Sequence, residues 1–185
     1  MGSDFRSNIK NLSLGFTLVE LLVVIAILGI LATIGLVTFS SSQMRGRDAQ
    51  RKSDLKQISS ALEIYYNDYG EYPGSLNGQI LGCPTTTATA CTWGAGQMKD
   101  ANTVYLKTVP KDSSSTLGYY YRSLTIDGIS QQAFQIYAHL ENSQDTSACI
   151  GGTCGTHTDL PAGVTCGSLG CNFAITSPNV TPLTN

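Results

Sequence analysis

Charge is scarce in this 185-residue chain: Lys and Arg number 11, Asp and Glu 13, together 13% of the residues, for a net charge of -2. That balance excludes the broad basic surface with which proteins gather nucleic acid. Histidine occurs twice, at His139 and His157, and neither stands beside a plausible nucleophile or metal cluster. A membrane-anchored hydrolase would need a nucleophile, base and orienter, or a metal set, and the chain offers none. No proline lies between residues 16 and 72, and no cysteine precedes residue 83. No small-residue cleavage site of the A-x-A kind follows the first apolar run, which continues TFSSSQMRGRDAQRK. Together with the length of that run, this argues against an ordinary secretory signal, whose apolar stretch is about 7 to 15 residues.

What the chain does have is a long greasy run. From Phe16 to Phe39 the sole ionisable side chain is Glu20, and about 20 apolar residues suffice to cross a bilayer. The remainder is polar and rich in Gly, Ser and Thr, so the length accommodates one modest domain with an appended anchor. All six cysteines, Cys83, Cys91, Cys149, Cys154, Cys166 and Cys171, fall after the run. An even count in a small module downstream of a membrane segment points to an oxidising compartment. The basic residues pull the other way. Arg6 and Lys10 precede the run while Arg45, Arg47, Arg51 and Lys52 follow it, which by the positive-inside rule would leave the module in the cytoplasm. Asp48 and Asp54 are interspersed with the latter group, so the cysteines carry more weight and the module is placed outside.

The start of the run reads Gly15-Phe16-Thr17-Leu18-Val19-Glu20 behind a short polar leader with basic residues. Glycine leaves room for a protease to approach the backbone. Glu20 is four residues past Phe16 and shares its helix face. This pattern resembles the processing signature of type IV pilins and type II secretion pseudopilins, strongly over residues 10 to 72 and loosely beyond. The resemblance implies cleavage between Gly15 and Phe16 by a prepilin peptidase on the cytoplasmic side, methylation of the new amine, and polymerisation through the apolar helix. Glu20 then pairs with the Phe16 amine of a neighbouring subunit and sets axial register, much as one polar core residue fixes a coiled coil. Gly29 and Gly35 are the candidates for close packing or local unwinding.

Past the membrane segment, Leu55, Ile58, Leu62, Tyr65 and Tyr69 recur at helical spacing, an apolar stripe that extends the helix to about Tyr69, where Gly70 and Pro73 stop it. At ~1.5 Å per residue such a helix is roughly 80 Å long. The charged stretch 45 to 56 is expected to be a solvated face rather than a patch for lipid headgroups. Tyr65, Tyr66, Tyr69 and Tyr72 are expected to cover a sheet edge at the helix end. Residues 74 to 104 read as a long connection clipped by Cys83 and Cys91. Two alternating tracts, 119 to 124 and 133 to 141, flank the Asp127-Gly128 turn and predict an antiparallel hairpin, with Phe134, Ile136 and Ala138 on one side and Gln135, Tyr137 and His139 on the other. Distally, C-x4-C occurs twice with an 11-residue gap. Four-thiolate zinc is one reading; disulfides are preferred in an oxidising compartment, Cys149 with Cys154 and Cys166 with Cys171 being the simplest pairing.

The fold class expected is therefore α+β: a leader at 1 to 15, a transmembrane and assembly half-helix at 16 to 40, an amphipathic half at 41 to 72, and a head at 73 to 185 with a small antiparallel sheet. No catalytic role and no resident cofactor are expected. The resemblance allows calcium, with Asp112 and Asp127 as candidate ligands. It also implies as partners related subunits, the peptidase, an assembly platform with its ATPase, and lipid before assembly, with the chain first in the cytoplasmic membrane and then in a surface filament. A secretion pseudopilus and a membrane-anchored adhesin are the alternatives, since loops 74 to 103 and 142 to 185 could bind a partner.

Overall fold

The computed structural model describes residues 15 to 83, 89 to 148 and 164 to 180. One helix, α1 (Leu18–Tyr69), is followed by strands β1 (Ser75–Leu76), β2 (Gln79–Ile80), β3 (Met98–Lys99), β4 (Val104–Leu106), β5 (Tyr120–Ile126), β6 (Ile129–Ala138), β7 (Thr165–Cys166), β8 (Leu169–Gly170) and β9 (Phe173–Thr176). All pairings between strands are antiparallel, giving the α+β class. The chain divides after Ser40 into two compact units.

Among the described residues the first unit holds the start of α1 and the three residues before it. Its described apolar side chains are open: Phe16 and Leu18 are each 79% exposed, and Ile25, Leu28 and Leu31 are exposed as well. A helix that is hydrophobic all round requires a partner or a lipid phase to be buried at all.

The second unit has a core. Leu55, Ile58 and Leu62 of the stripe read from the sequence lie, with Ala61, in one buried cluster with Tyr121, Phe134, Ile136 and Ala138, and Tyr65 packs against it, whereas Tyr69 is exposed. The helix ends where glycine permits it: Gly70 has φ 71° and its N–H donates to the Tyr66 carbonyl at 2.7 Å, the left-handed cap that glycine adopts without steric cost. Beyond it the four tyrosines pack as rings at 4.5 to 5.2 Å, Tyr65 on Tyr69 and Tyr105, Tyr66 on Tyr72, with Tyr72 also against Phe134 at 4.9 Å.

The hairpin β5–β6 turns at Asp127 and Gly128, both with positive φ, and pairs Tyr121 with Ile136 and Ser123 with Phe134. As the alternation predicts, Phe134, Ile136 and Ala138 enter the main core. The opposite face is not left to water. Tyr137 is buried in a second cluster with Val164, Cys166 and Cys171, and its hydroxyl donates to Gln135 Oε1 at 2.8 Å. The C-terminal region differs from the loop expected for it: β9 pairs with β6, Ile175 opposite Ile136, and makes a three-stranded sheet ordered β5-β6-β9. Residues 74 to 104 also hold more than turns. Asn77 and Gly78, at φ 51° and 77°, close the β1–β2 hairpin, and Asn-Gly is a strong two-residue hairpin signal.

Candidate functional site

At the membrane end, Gly15, Phe16 and Thr17 precede the helix, and α1 begins at Leu18. The reason lies in Thr17 and Glu20. The Thr17 N–H and hydroxyl both donate to Glu20 Oε2 at 2.8 Å, and the Glu20 N–H donates back to Thr17 Oγ1 at 3.2 Å. This is a reciprocal capping box, which satisfies orphan amides of a first turn. The T-x-x-E spacing of this box is legible in the sequence itself, beside the register role expected of Glu20. In a single chain the carboxylate is thus turned onto its own helix start, next to the peptide bond between Gly15 and Phe16.

Gly29 lies within the helix, and a Cβ added there would meet nothing within 4 Å; Gly35 also lies within α1, which runs through both glycines without a break. Thr33 satisfies its hydroxyl within the helix by donating to the Ile30 carbonyl at 2.8 Å.

In the head the charged stretch 45 to 56 is not the solvated face expected of it. Asp48, Arg51 and Asp54 are buried. Arg51 is 1% exposed; its Nε and Nη2 donate to Asp112 at 2.6 and 2.9 Å, Nη1 to Asp48 at 2.8 Å, and Nη2 to Glu141 at 2.7 Å. Asp48 also accepts the N–H groups of Glu141 and Asn142 at 2.9 and 2.8 Å. Arg47 completes a bidentate pair with Glu141. Asp54 accepts the Tyr119 hydroxyl at 2.7 Å. Hydrogen bonds from Arg47, and after them Arg51, hold the Glu141 carboxyl down at about 2. Burial, reinforced by the bond to Asp54, pushes the Tyr119 phenol well above its ordinary value. Desolvation opposes the charge on Arg51, but the carboxylates around it outweigh that loss and keep it protonated. A guanidinium out of water needs partners for each of its donors. The periodicity of the sequence could not show this, because the partners stand 61 and 90 residues away.

Of the two calcium candidates, Asp112 gives both oxygens to Arg51, and its Oδ1 also accepts the Ser114 N–H at 2.8 Å. Asp127 is exposed in the β5–β6 turn. Among the described residues no group of three or more His, Cys, Asp or Glu is placed to hold a metal. Cys83 is bonded to Cys91 and Cys166 to Cys171; the latter pair therefore is not part of a zinc site with Cys149 and Cys154, which lie outside the described residues. His139 sits with Nδ1 2.6 Å from the Gly170 carbonyl, a structural contact beside the β7–β8 hairpin.

An apolar helix long enough to cross a membrane, a capped start bearing one carboxylate, and a disulfide-bearing head define a class of chain: a small α+β head on a long helix whose first half is apolar. Comparison gives the kin. Residues 10 to 36 match the prokaryotic N-terminal methylation motif. The chain is 35% identical over 100 residues to the type II secretion system core protein G of Pseudomonas aeruginosa, covering 53% of this chain and 66% of that protein. It is 36% identical over 63 residues to the type IV major pilin protein PilA of Myxococcus xanthus, covering 34% and 29%, and 38% identical over 66 residues to a fimbrial protein of Neisseria meningitidis, covering 36% and 39%. The matched stretch thus spans just under two thirds of the first of these relatives and well under half of the other two. No solved structure gave a significant match. The chain is a relative of the type IV pilins and type II secretion pseudopilins, and it carries the N-terminal methylation motif.

Proposed function

We propose that the chain is a structural filament subunit, cut between Gly15 and Phe16 by a prepilin peptidase, methylated at Phe16, and polymerised through the first half of α1 with its head outside the membrane. The observation that carries this reading is the row of exposed apolar side chains among the described residues between Phe16 and Phe39, with one carboxylate at its start. Lipid satisfies the row before assembly and neighbouring helices do so afterwards. Glu20 is held meanwhile by Thr17 through two hydrogen bonds, and a neighbour's α-amine exchanges for them at no net loss of partners, with opposite charge in favour. In surroundings of interchangeable Leu, Val and Ile, that exchange fixes the axial stagger.

Intact mass of the native surface protein tests maturation: the expected value lacks residues 1 to 15 and carries one methyl group. Glu20→Ala should leave the cut intact and sharply reduce incorporation into fibres, scored by sheared-fibre yield. Wild-type yield from that variant would remove the register mechanism. A type II secretion pseudopilus is the second reading. It is favoured by the similarity to core protein G of Pseudomonas aeruginosa and of Aeromonas hydrophila, which extends over 100 residues in each case, well beyond the 52 residues of α1.

A further inference from the structure

We propose that the head carries a saccharide-binding cavity between the Trp93 loop and the serine loop that precedes β5, selective for acidic sugars. The cavity has a volume of about 450 Å³, and its lining includes Trp93, Lys111, Ser113, Ser115 and Tyr119 together with Asp112, whose carboxylate is engaged through both oxygens by Arg51. That volume is within the range of small-ligand sites, which join apolar walls to a few convergent polar groups. The inference is independent of assembly, because every lining residue belongs to the head.

The walls are fixed before any ligand arrives. Gly94 donates its N–H to the Val109 carbonyl and Val109 to that of Gly96, each at 2.7 Å. Gly94 has φ 85°, and a Cβ there would fall 2.6 Å from Lys111 Cδ, so the lysine stem lies along bare backbone beside Trp93. Two residues upstream, Cys91 is tied to Cys83. Tyr119 meets Trp93 edge to face, centroids 5.8 Å apart at 86°, and its hydroxyl is anchored on Asp54. The serine loop is held in turn by Asp112, itself clamped by Arg51, and by the contact of Ser114 Oγ with Thr116 Oγ1 at 3.0 Å.

Within this frame three exposed polar groups, Lys111, Ser113 and Ser115, are served by water and are open to a ligand. Ser114 is engaged, but no hydrogen bond takes up the hydroxyls of Ser113 or Ser115 and no ion pair takes up the Lys111 ammonium among the described residues. A purely apolar ligand would strip water from these groups and return nothing. A nucleotide would find the aromatic wall, but one cation for its several charges. A sugar ring offers both complements. Its C–H face covers aromatic surface, and its hydroxyls exchange with serine hydroxyls that donate and accept equally. A ring carboxylate would add a charge-assisted bond to Lys111.

Trp93 is the sole tryptophan, so emission excited selectively at the indole, at wavelengths where the nine tyrosines do not absorb, reports this cavity. The full chain, in a detergent without a sugar headgroup, would be titrated with glucose and with glucuronate at low salt. Saturable emission shifts are expected with both, with glucuronate half-saturating at ~10-fold lower concentration, the effect of about 1.4 kcal/mol. Lys111→Gln, a surface change that spares the fold, should erase that difference while leaving glucose unchanged. Saturation-transfer NMR on glucuronate should lose its signal with Trp93→Ala and keep it with Ser53→Ala, an exposed helix position. A linear, non-saturable response, equal competition by inorganic phosphate, or undiminished transfer to Trp93→Ala would each overturn the proposal.

Discussion

The two halves of α1 share a backbone and differ in almost everything else. Up to Ser40 the large apolar side chains face outward and the one charge is satisfied within its own turn; from Ser41 onward Leu55, Ile58 and Leu62 are fully buried and so is Arg51. Each large apolar side chain removed from water contributes about 1.5–3 kcal/mol. The row in the first half therefore represents more burial energy than the ~5–15 kcal/mol by which a whole domain is stable. One half has completed its burial inside the chain. The other leaves its described large apolar side chains exposed, a burial that lipid or neighbouring subunits would complete in the proposed filament.

The sharpest way to break this contrast is through the buried charge. Arg51→Ala leaves Asp48 and Asp112 without their cation, and breaking such a buried pair costs about 3–5 kcal/mol. The head's melting temperature should fall accordingly while membrane association is retained; the same change at exposed Arg45 should shift it little. Leu62→Ala follows, with a loss of about 2–5 kcal/mol from the core, again confined to the head. Its counterpart Leu28→Ala should leave head melting unmoved and act on fibre cohesion instead. Equal effects on head melting would show that the halves are not independent.

A pH titration sharpens the comparison further. Glu141 is depressed to about 2, so its contribution is fully present above the ordinary carboxylate value near 4.5 and is lost as pH falls from there toward 2. Head stability should decline over that window, and Glu141→Gln should flatten the decline. The smallest effect is expected at Thr17→Val. Losing a cap costs roughly 0.5–2 kcal/mol locally, visible as faster amide exchange over the first turn of α1 and as no change in the head.

Much of the fold was legible. The stripe from Leu55 to Tyr69, the stop at Gly70 and the Asp127-Gly128 hairpin follow from local chemistry that a few residues settle among themselves. The capping box at Thr17 and the Asn77-Gly78 turn were equally local and could have been read. Other features were not local. Arg51 and Asp48 sit in a run that looks solvated from its composition, and only partners far along the chain reveal it as a buried junction. Phe173 to Thr176 is too short and too mixed to declare itself a strand until β6 provides an open edge.

The sequence by itself determined that a greasy helix with one acid at its start must find its surroundings outside the molecule, because no other segment is apolar enough to cover it. Tertiary structure alone decided which charges are buried and where Trp93 and Lys111 face a common cavity. The buried charge of Arg51 depends on partners 61 and 90 positions away, and such contacts leave no periodic trace in either partner.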